Sequence, residues 1–193
     1  MSPRILFLLI TGPAVVVPLS AQQTFQGLIL GLEVIRTPAW SFDEQIPGSS
    51  LVDHHDIPAA SGLELRAAWA VVPYVAPFAA ASVSLHSRDG SDLSGFTTVS
   101  GGIEGRLPGV AGALVPTVEL GLGHLSWSGG LSYTYALAGA GVDLFAVHRV
   151  ALHAGVQAGW PLGDGTRDGR NAVLDADVVR LSAGVRIALG RRR

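Results

Sequence analysis

A two-residue alternation runs through this chain eight times, and its two sides are chemically unequal. In SGLELRAAWAVV, Leu63, Leu65, Ala67, Trp69 and Val71 share one side, and Glu64 and Arg66 share the other. A period of two is the signature of a β-strand with distinct faces. The same pattern sets Leu28, Leu30, Leu32 and Val34 on one row, and Ala79, Ala81, Val83 and Leu85 on a second. Further rows are Val99, Ile103 and Leu107; Val118, Leu120 and Leu122; and Ala136, Ala138, Ala140, Val142 and Leu144. Two more complete the set: Val150, Leu152, Ala154, Val156 and Trp160, then Val179, Leu181, Ala183, Val185, Ile187 and Leu189.

Alternation alone does not say which face is inside, because a soluble lipocalin-like barrel alternates too, with its phase reversed. Three observations decide. No charge lies on the apolar side of any of the eight segments. The other side carries Glu33, Glu64, Glu104, Glu119 and Asp143 with Arg66, Arg106, Arg180 and Arg186, a near balance suited to pairing in a confined space. The rest of that side is largely Gly, Ala and Ser, too small for a solvated exterior but right for the lumen of a narrow barrel. Third, Trp40, Phe42, Trp69, Tyr74, Phe78, Phe96, Trp127, Tyr133, Tyr135, Phe145 and Trp160 gather near segment ends, as in aromatic girdles at two membrane interfaces.

Composition agrees with lipid as the solvent. Charged residues are 15% of the chain, against ~25% in soluble domains. There is no Cys, which removes disulfides and thiolate metal sites. All 13 basic residues are Arg, and the formal charge of −2 offers no basic footprint for nucleic acid. At the N-terminus, Arg4, the apolar run ILFLLITGPAVVVPL and the small residues of LSA read as a secretory signal over residues 1–21, cleaved before Gln22. Residues 22–193 then form one domain. The apolar run Ala67–Val83 holds Pro73 and Pro77, which argue for strand, turn, strand rather than a spanning helix.

The expected fold is therefore all-β: an eight-stranded antiparallel up-and-down transmembrane β-barrel, preceded by a cleaved signal peptide. Polar and mostly longer loops follow strands one, three, five and seven, and shorter or apolar turns follow two, four and six. An even strand number leaves both termini on the periplasmic side. On the signal sequence, the charged interior strand LELRAAW, the hairpin YALAGAGVDLFAVHRVALHAGVQAGW and the closing strand VVRLSAGVRIAL, residues 22–189 resemble the small outer-membrane barrels of the OmpA/OmpX type. That resemblance implies outer-membrane localisation, outer-membrane lipid and lipopolysaccharide as surroundings, periplasmic chaperones and the barrel-assembly machinery as partners, and a monomer. It implies no single role, since such barrels are anchors, adhesion or defence proteins, or minor pores. Where such barrels end on an aromatic residue, this chain has Leu189 followed by GRRR.

Four candidate sites follow. Placed along up-and-down strands, the lumen charges fall in two groups: Glu33, Glu64, Arg66 and Arg180 toward the outer mouth, and Glu104, Arg106, Glu119, Asp143 and Arg186 toward the periplasmic end. They read as a structural plug, or alternatively as gates of an ion or solute path. Asp53, His54, His55 and Asp56 of VDHHDIP could in principle meet a divalent cation, but adjacent residues rarely converge on one ion, so no metal is expected. His86, His124 and His153 are scattered with no nucleophile motif beside them, and His153 points to the lumen, so no catalysis and no cofactor is expected. The polar loops hold Asp43, Glu44, Asp53, Asp56, Asp89, Asp92, Asp164 and Asp168 with Arg88, Arg167 and Arg170, a surface fit for recognition. The reading of the whole is a non-enzymatic barrel with a structural or surface-interaction role.

Overall fold

The structure, a computed structural model, describes residues 25–45, 52–88, 92–107, 113–128, 130–147, 149–163, 165–167, 170–172 and 178–192. The proposed signal peptide and its boundary at Gln22 lie outside them. In chain order the strands are β1 (Phe25–Thr37), β2 (Trp40–Gln45), β3 (Val52–Ile57), β4 (Ala60–Ala70), β5 (Val75–Arg88) and β6 (Asp92–Arg106). Then come β7 (Leu114–Trp127), β8 (Leu131–Val147), β9 (Val150–Pro161), β10 (Gly165–Arg167), β11 (Arg170–Ala172) and β12 (Val178–Arg192).

Eight of these form the wall. Around it run β1, β4, β5, β6, β7, β8, β9 and β12, all antiparallel, and the ring closes because β1 pairs with β12 from Phe25↔Arg192 to Arg36↔Leu181. Closure pairs every wall strand on both edges, which a bilayer interior demands. At the short-turn end the ladder extends past the strands: Arg106 N–H donates to the Tyr74 carbonyl at 2.8 Å and Phe145 N–H to that of Ala113 at 2.8 Å. The run Ala67–Val83 is β4, a turn and β5, as its prolines require. No helix among the described residues is long and apolar enough to cross a membrane.

The phase of the alternation is the one that puts charge inside. Leu65 and Leu120 are 66% and 68% exposed on the outer wall, whereas Glu64 is 1% and Asp143 0% exposed within. The apolar band has a polar upper border. Arg36, Ser61, Thr97, His124 and Thr134 continue the outward rows at the long-loop end and are exposed. Arg36 thus corrects the expectation that the outer rows hold no charge: β1 runs further than its apolar segment. Its guanidinium donates to Ser61 Oγ at 2.8 Å, at a level where a long cationic side chain can reach water.

Two more expectations change. The connections after the first and seventh wall strands are not plain loops. The first folds into the hairpin β2–β3, in register from Trp40↔Ile57 to Gln45↔Val52, and the other into β10–β11. Nor do the aromatics all form girdles. Trp69, Tyr74 and Trp160 do face outward. Phe78, Phe96 and Tyr133 are buried inside, and the Trp40 ring, carried in on β2, lies 6.0 Å from that of Phe96 and 6.3 Å from that of Tyr133. The side chain of Phe42 lies outside the description. The lumen thus has an apolar cluster at the hairpin end (Ile57, Ala60, Phe96, Leu125, Leu131, Tyr133) and a second around Ile29, Ala68, Ala76 and Phe78.

Candidate functional site: the charged lumen

The inward row of each wall strand brings its charge to the axis, and glycines make the room. A Cβ on Gly139 would lie 2.8 Å from Glu119 Cγ and 3.0 Å from Gln157 Cγ, and one on Gly141 would lie 2.7 Å from His153 Cε1. These neighbours exist only because the facing residues have no side chain.

Arg186 on β12 is the hub. Its Nε donates to Glu33 Oε1 at 2.9 Å, its Nη1 to Glu104 Oε2 at 3.0 Å, and its Nη2 to His153 Nε2 at 3.1 Å. Glu104 in turn accepts from Arg66 Nη2 at 3.0 Å and from Arg106 Nε at 3.1 Å. Arg106 also donates to Asp143 Oδ2 at 2.7 Å, and Arg66 to Glu119 Oε2 at 2.6 Å. The Arg66 guanidinium lies 3.8 Å above the centre of the Phe78 ring, so its N–H groups donate to carboxylates in plane while one face meets a π-cloud. Arg180 Nη1 lies 2.7 Å from Glu64 Oε2, and its Nη2 donates to Gln157, which donates to Glu119. All nine charged residues therefore belong to one connected set.

That set does not divide as the strand positions suggested. Of the outer-mouth group, Glu64 and Arg180 meet each other, but Arg66 pairs with Glu104 and Glu119, and Glu33 pairs with Arg186. The reason is tilt. Wall strands in a barrel lean ~35–45° from the axis, so residues at different steps along distant strands come to one height. The register shows it: Glu104 faces Glu119, Glu119 faces Gly139, Gly139 faces Gln157, and Gln157 faces Arg180.

His153 and Gln157 are members that the charge pattern did not mark, although His153 was expected in the lumen. His153 Nδ1 lies 2.8 Å from Asp143 Oδ1. Because an arginine N–H can only donate, Nε2 accepts from Arg186, and Nδ1–H donates to Asp143. The network thus gathers five acidic residues, four arginines and this imidazole.

The remaining candidates are separate. His86 is buried and stacks on Phe96 at 5.3 Å, while His124 faces outward beside Thr134 and Ser132, so the three histidines do not converge. In the β2–β3 hairpin, His54 Nδ1 lies 2.6 Å from Asp43 Oδ1 and Nε2 lies 3.3 Å from Asp56 Oδ1. The Asp43 hydrogen bond, helped by the charge of Asp56, raises the His54 pKa above its ordinary value. Among the described residues no group of three or more His, Asp or Glu could hold a metal ion. Asp89, Asp164 and Asp168 lie outside the described residues.

The architecture has known counterparts. The outer membrane protein OprG from Pseudomonas aeruginosa superposes with a TM-score of 0.66 over 89% of this chain and 99% of that one, at 10% identity. Neisserial surface protein A superposes with a TM-score of 0.58 over 84% and 97%, at 14% identity. The fold is that of a small eight-stranded outer-membrane barrel. The OmpA/OmpX type is consistent with it, and so is a place in the outer membrane. No family model and no curated protein sequence matches the chain.

Proposed function

We propose that this chain is a sealed outer-membrane barrel: the ionic lumen is a structural plug, and the hairpin end faces out of the cell as an interaction surface. The termini then lie on the periplasmic side, and lipopolysaccharide surrounds the upper border set by Arg36 and His124. The observation that carries the reading is the fate of the charges. Arg66, Arg106, Arg180 and Arg186 are all buried, and each lies within ion-pair distance of at least one carboxylate on another strand. Buried groups so engaged hold strands together and leave no unoccupied carrier for an ion. On this reading the chain acts as a monomer, delivered by periplasmic chaperones to the barrel-assembly machinery, and carries out no catalysis.

Planar-bilayer recording tests it. The wild-type protein is expected to be silent; a steady open pore in the wild type overturns the plug. A gated path is the second reading, favoured by Arg66 Nη2, which touches two carboxylates, Glu104 and Glu119. Under it, Arg66→Ala or Glu104→Ala changes the open probability of a conducting wild type. Deleting Asp43–Ile57 tests the surface role: cell attachment that depends on the barrel should fall.

A further inference from the structure

The two ends of the barrel carry opposite charge. Of the fifteen acidic residues, five line the lumen, and the other ten all belong to the long-loop end, Asp43, Asp56 and Asp92 among them. The short-turn end is different: the connections 71–74, 107–113 and 148–149 and the segments 22–27 and 187–193 contain neither Asp nor Glu. They do contain Arg149, Arg191, Arg192 and Arg193. The backbone brings the first three to one part of the rim. Arg149 is exposed, and its carbonyl accepts from Ala188 N–H of β12 at 2.8 Å. Past Leu189, β12 runs on to Arg191, opposite Gln26, and Arg192, opposite Phe25.

Depth decides what these arginines meet. Leu28 pairs with Leu189 on one side and with Trp69 on the other, so the three lie at one level of the wall. Leu189 and Trp69 both face outward. Trp69, with exposed Tyr74 in the turn just beyond it, marks the level where acyl chains give way to headgroups. Arg191 and Arg192 come two and three residues after Leu189, about 5–8 Å further toward the short-turn end once strand rise and tilt are combined. A headgroup layer has about that thickness. Glu104 and Asp143, the lumen acids toward that end, are buried and bonded to Arg106 and Arg186, so they do not compete for the rim.

We propose that this rim binds anionic glycerophospholipids of the leaflet around the short-turn end, their phosphates paired with Arg149, Arg191 and Arg192. A guanidinium meets a phosphate with two parallel N–H donors, a stronger match than a point charge provides. A headgroup with net negative charge gains the whole attraction, whereas a zwitterionic one brings its own cation and gains less. Depth favours lipid over a soluble polyanion, because the arginines continue the strand whose outward row, Ile187 and Leu189, already faces acyl chains. The bound lipids hold β12 and β1 at a fixed depth where the ring closes. This goes beyond the sealed-lumen reading and does not depend on it.

The test uses the full barrel in detergent micelles holding equal amounts of phosphatidylglycerol and phosphatidylcholine of the same acyl chains. Native mass spectrometry counts the lipid that stays bound. Phosphatidylglycerol adducts are expected to exceed phosphatidylcholine adducts at least about fivefold, the scale of one arginine at an anionic surface. Raising ammonium acetate from about 0.05 to about 0.5 M should shrink that preference, because salt screens exposed charge. Changing Arg149, Arg191, Arg192 and Arg193 together to Gln should bring the two lipids to parity, and changing the same four to Lys should keep most of the preference. The heat-modifiable gel shift shows whether each variant is folded. If the glutamine variant does not fold, Arg149→Gln alone, in an exposed turn, should still lower the preference at least about twofold. Parity in the wild type, as a soluble anionic partner would give, overturns the proposal. So does a preference that survives in the folded glutamine variant, or one that Arg36→Gln at the opposite border removes equally. Conductance is a separate readout: an open pore sinks only the plug, and lipid parity sinks only the rim.

Discussion

The two parts of the lumen solve the same problem by opposite chemistry. The ionic layer is full: Glu104 alone accepts hydrogen bonds from three arginines, Arg66, Arg106 and Arg186. The hairpin end of the lumen is aromatic and retains space between Trp40, Phe96, Tyr133 and Arg180. The difference shows that a barrel of this width can be closed by charge without being closed along its whole length. Charges lock strands because each must be matched, whereas rings pack by shape and can leave a gap.

The comparison can be broken most forcefully at the hub. Arg186→Met leaves Glu33, Glu104 and Asp143 short of a counter-charge, and removing one partner of a buried pair costs about 3–5 kcal/mol. Urea titration of the reconstituted barrel should show a loss of that size, and a loss below about 1 kcal/mol would mean that the network is not what holds the ionic layer. At the boundary between the layers, Tyr135 lies across Gly123, where a Cβ would overlap its ring. Gly123→Ala should push that ring aside at a cost of about 1–3 kcal/mol, with chemical-shift changes concentrated around Phe96, Leu125 and Tyr133 and absent around Arg186. Equal changes in both regions would erase the distinction drawn here.

The smallest effect is expected on the hairpin. His54 is held between Asp43 and Asp56, and its folded pKa is raised. The support it gives is complete below the unfolded histidine value and is lost as pH rises through the higher folded value. NMR of the imidazole should report that raised midpoint, and hairpin amides should exchange faster above it. In His54→Gln the pH dependence of exchange protection should vanish while Arg186 and its partners are unmoved.

The faces of the wall strands were legible in the sequence because period two is local: Leu65 and Glu64 declare their sides within three residues. What each charge meets was not, since Arg66 and Glu119 come together only through tilt and register summed over four strands. The rings misled for a related reason. Phe96 and Tyr133 stand near strand ends, where a girdle residue and a lumen residue look alike, and only Trp40 arriving on an unforeseen hairpin makes the inner cluster evident. His153 carried no sign of its role, because its partner Asp143 is set by the β8–β9 pairing and its space by Gly141 and Gly155.

Arg186 sits on the strand that closes the ring, and its bond to Glu33 spans 153 residues of chain. The side-chain bond that closes the ring is thus also one that supplies charge to the network. A chain that has laid down seven wall strands still carries Glu33, Glu104 and Asp143 without their common counter-ion, inside a half-built trough with two open edges. Zipping β12 between β9 and β1 removes both edges and supplies the missing cation in one event. Contacts of such separation are slow to form, so insertion should proceed as a late, all-or-none commitment, with every truncation short of Arg186 stalled in a state that is unpaired in backbone and in charge alike.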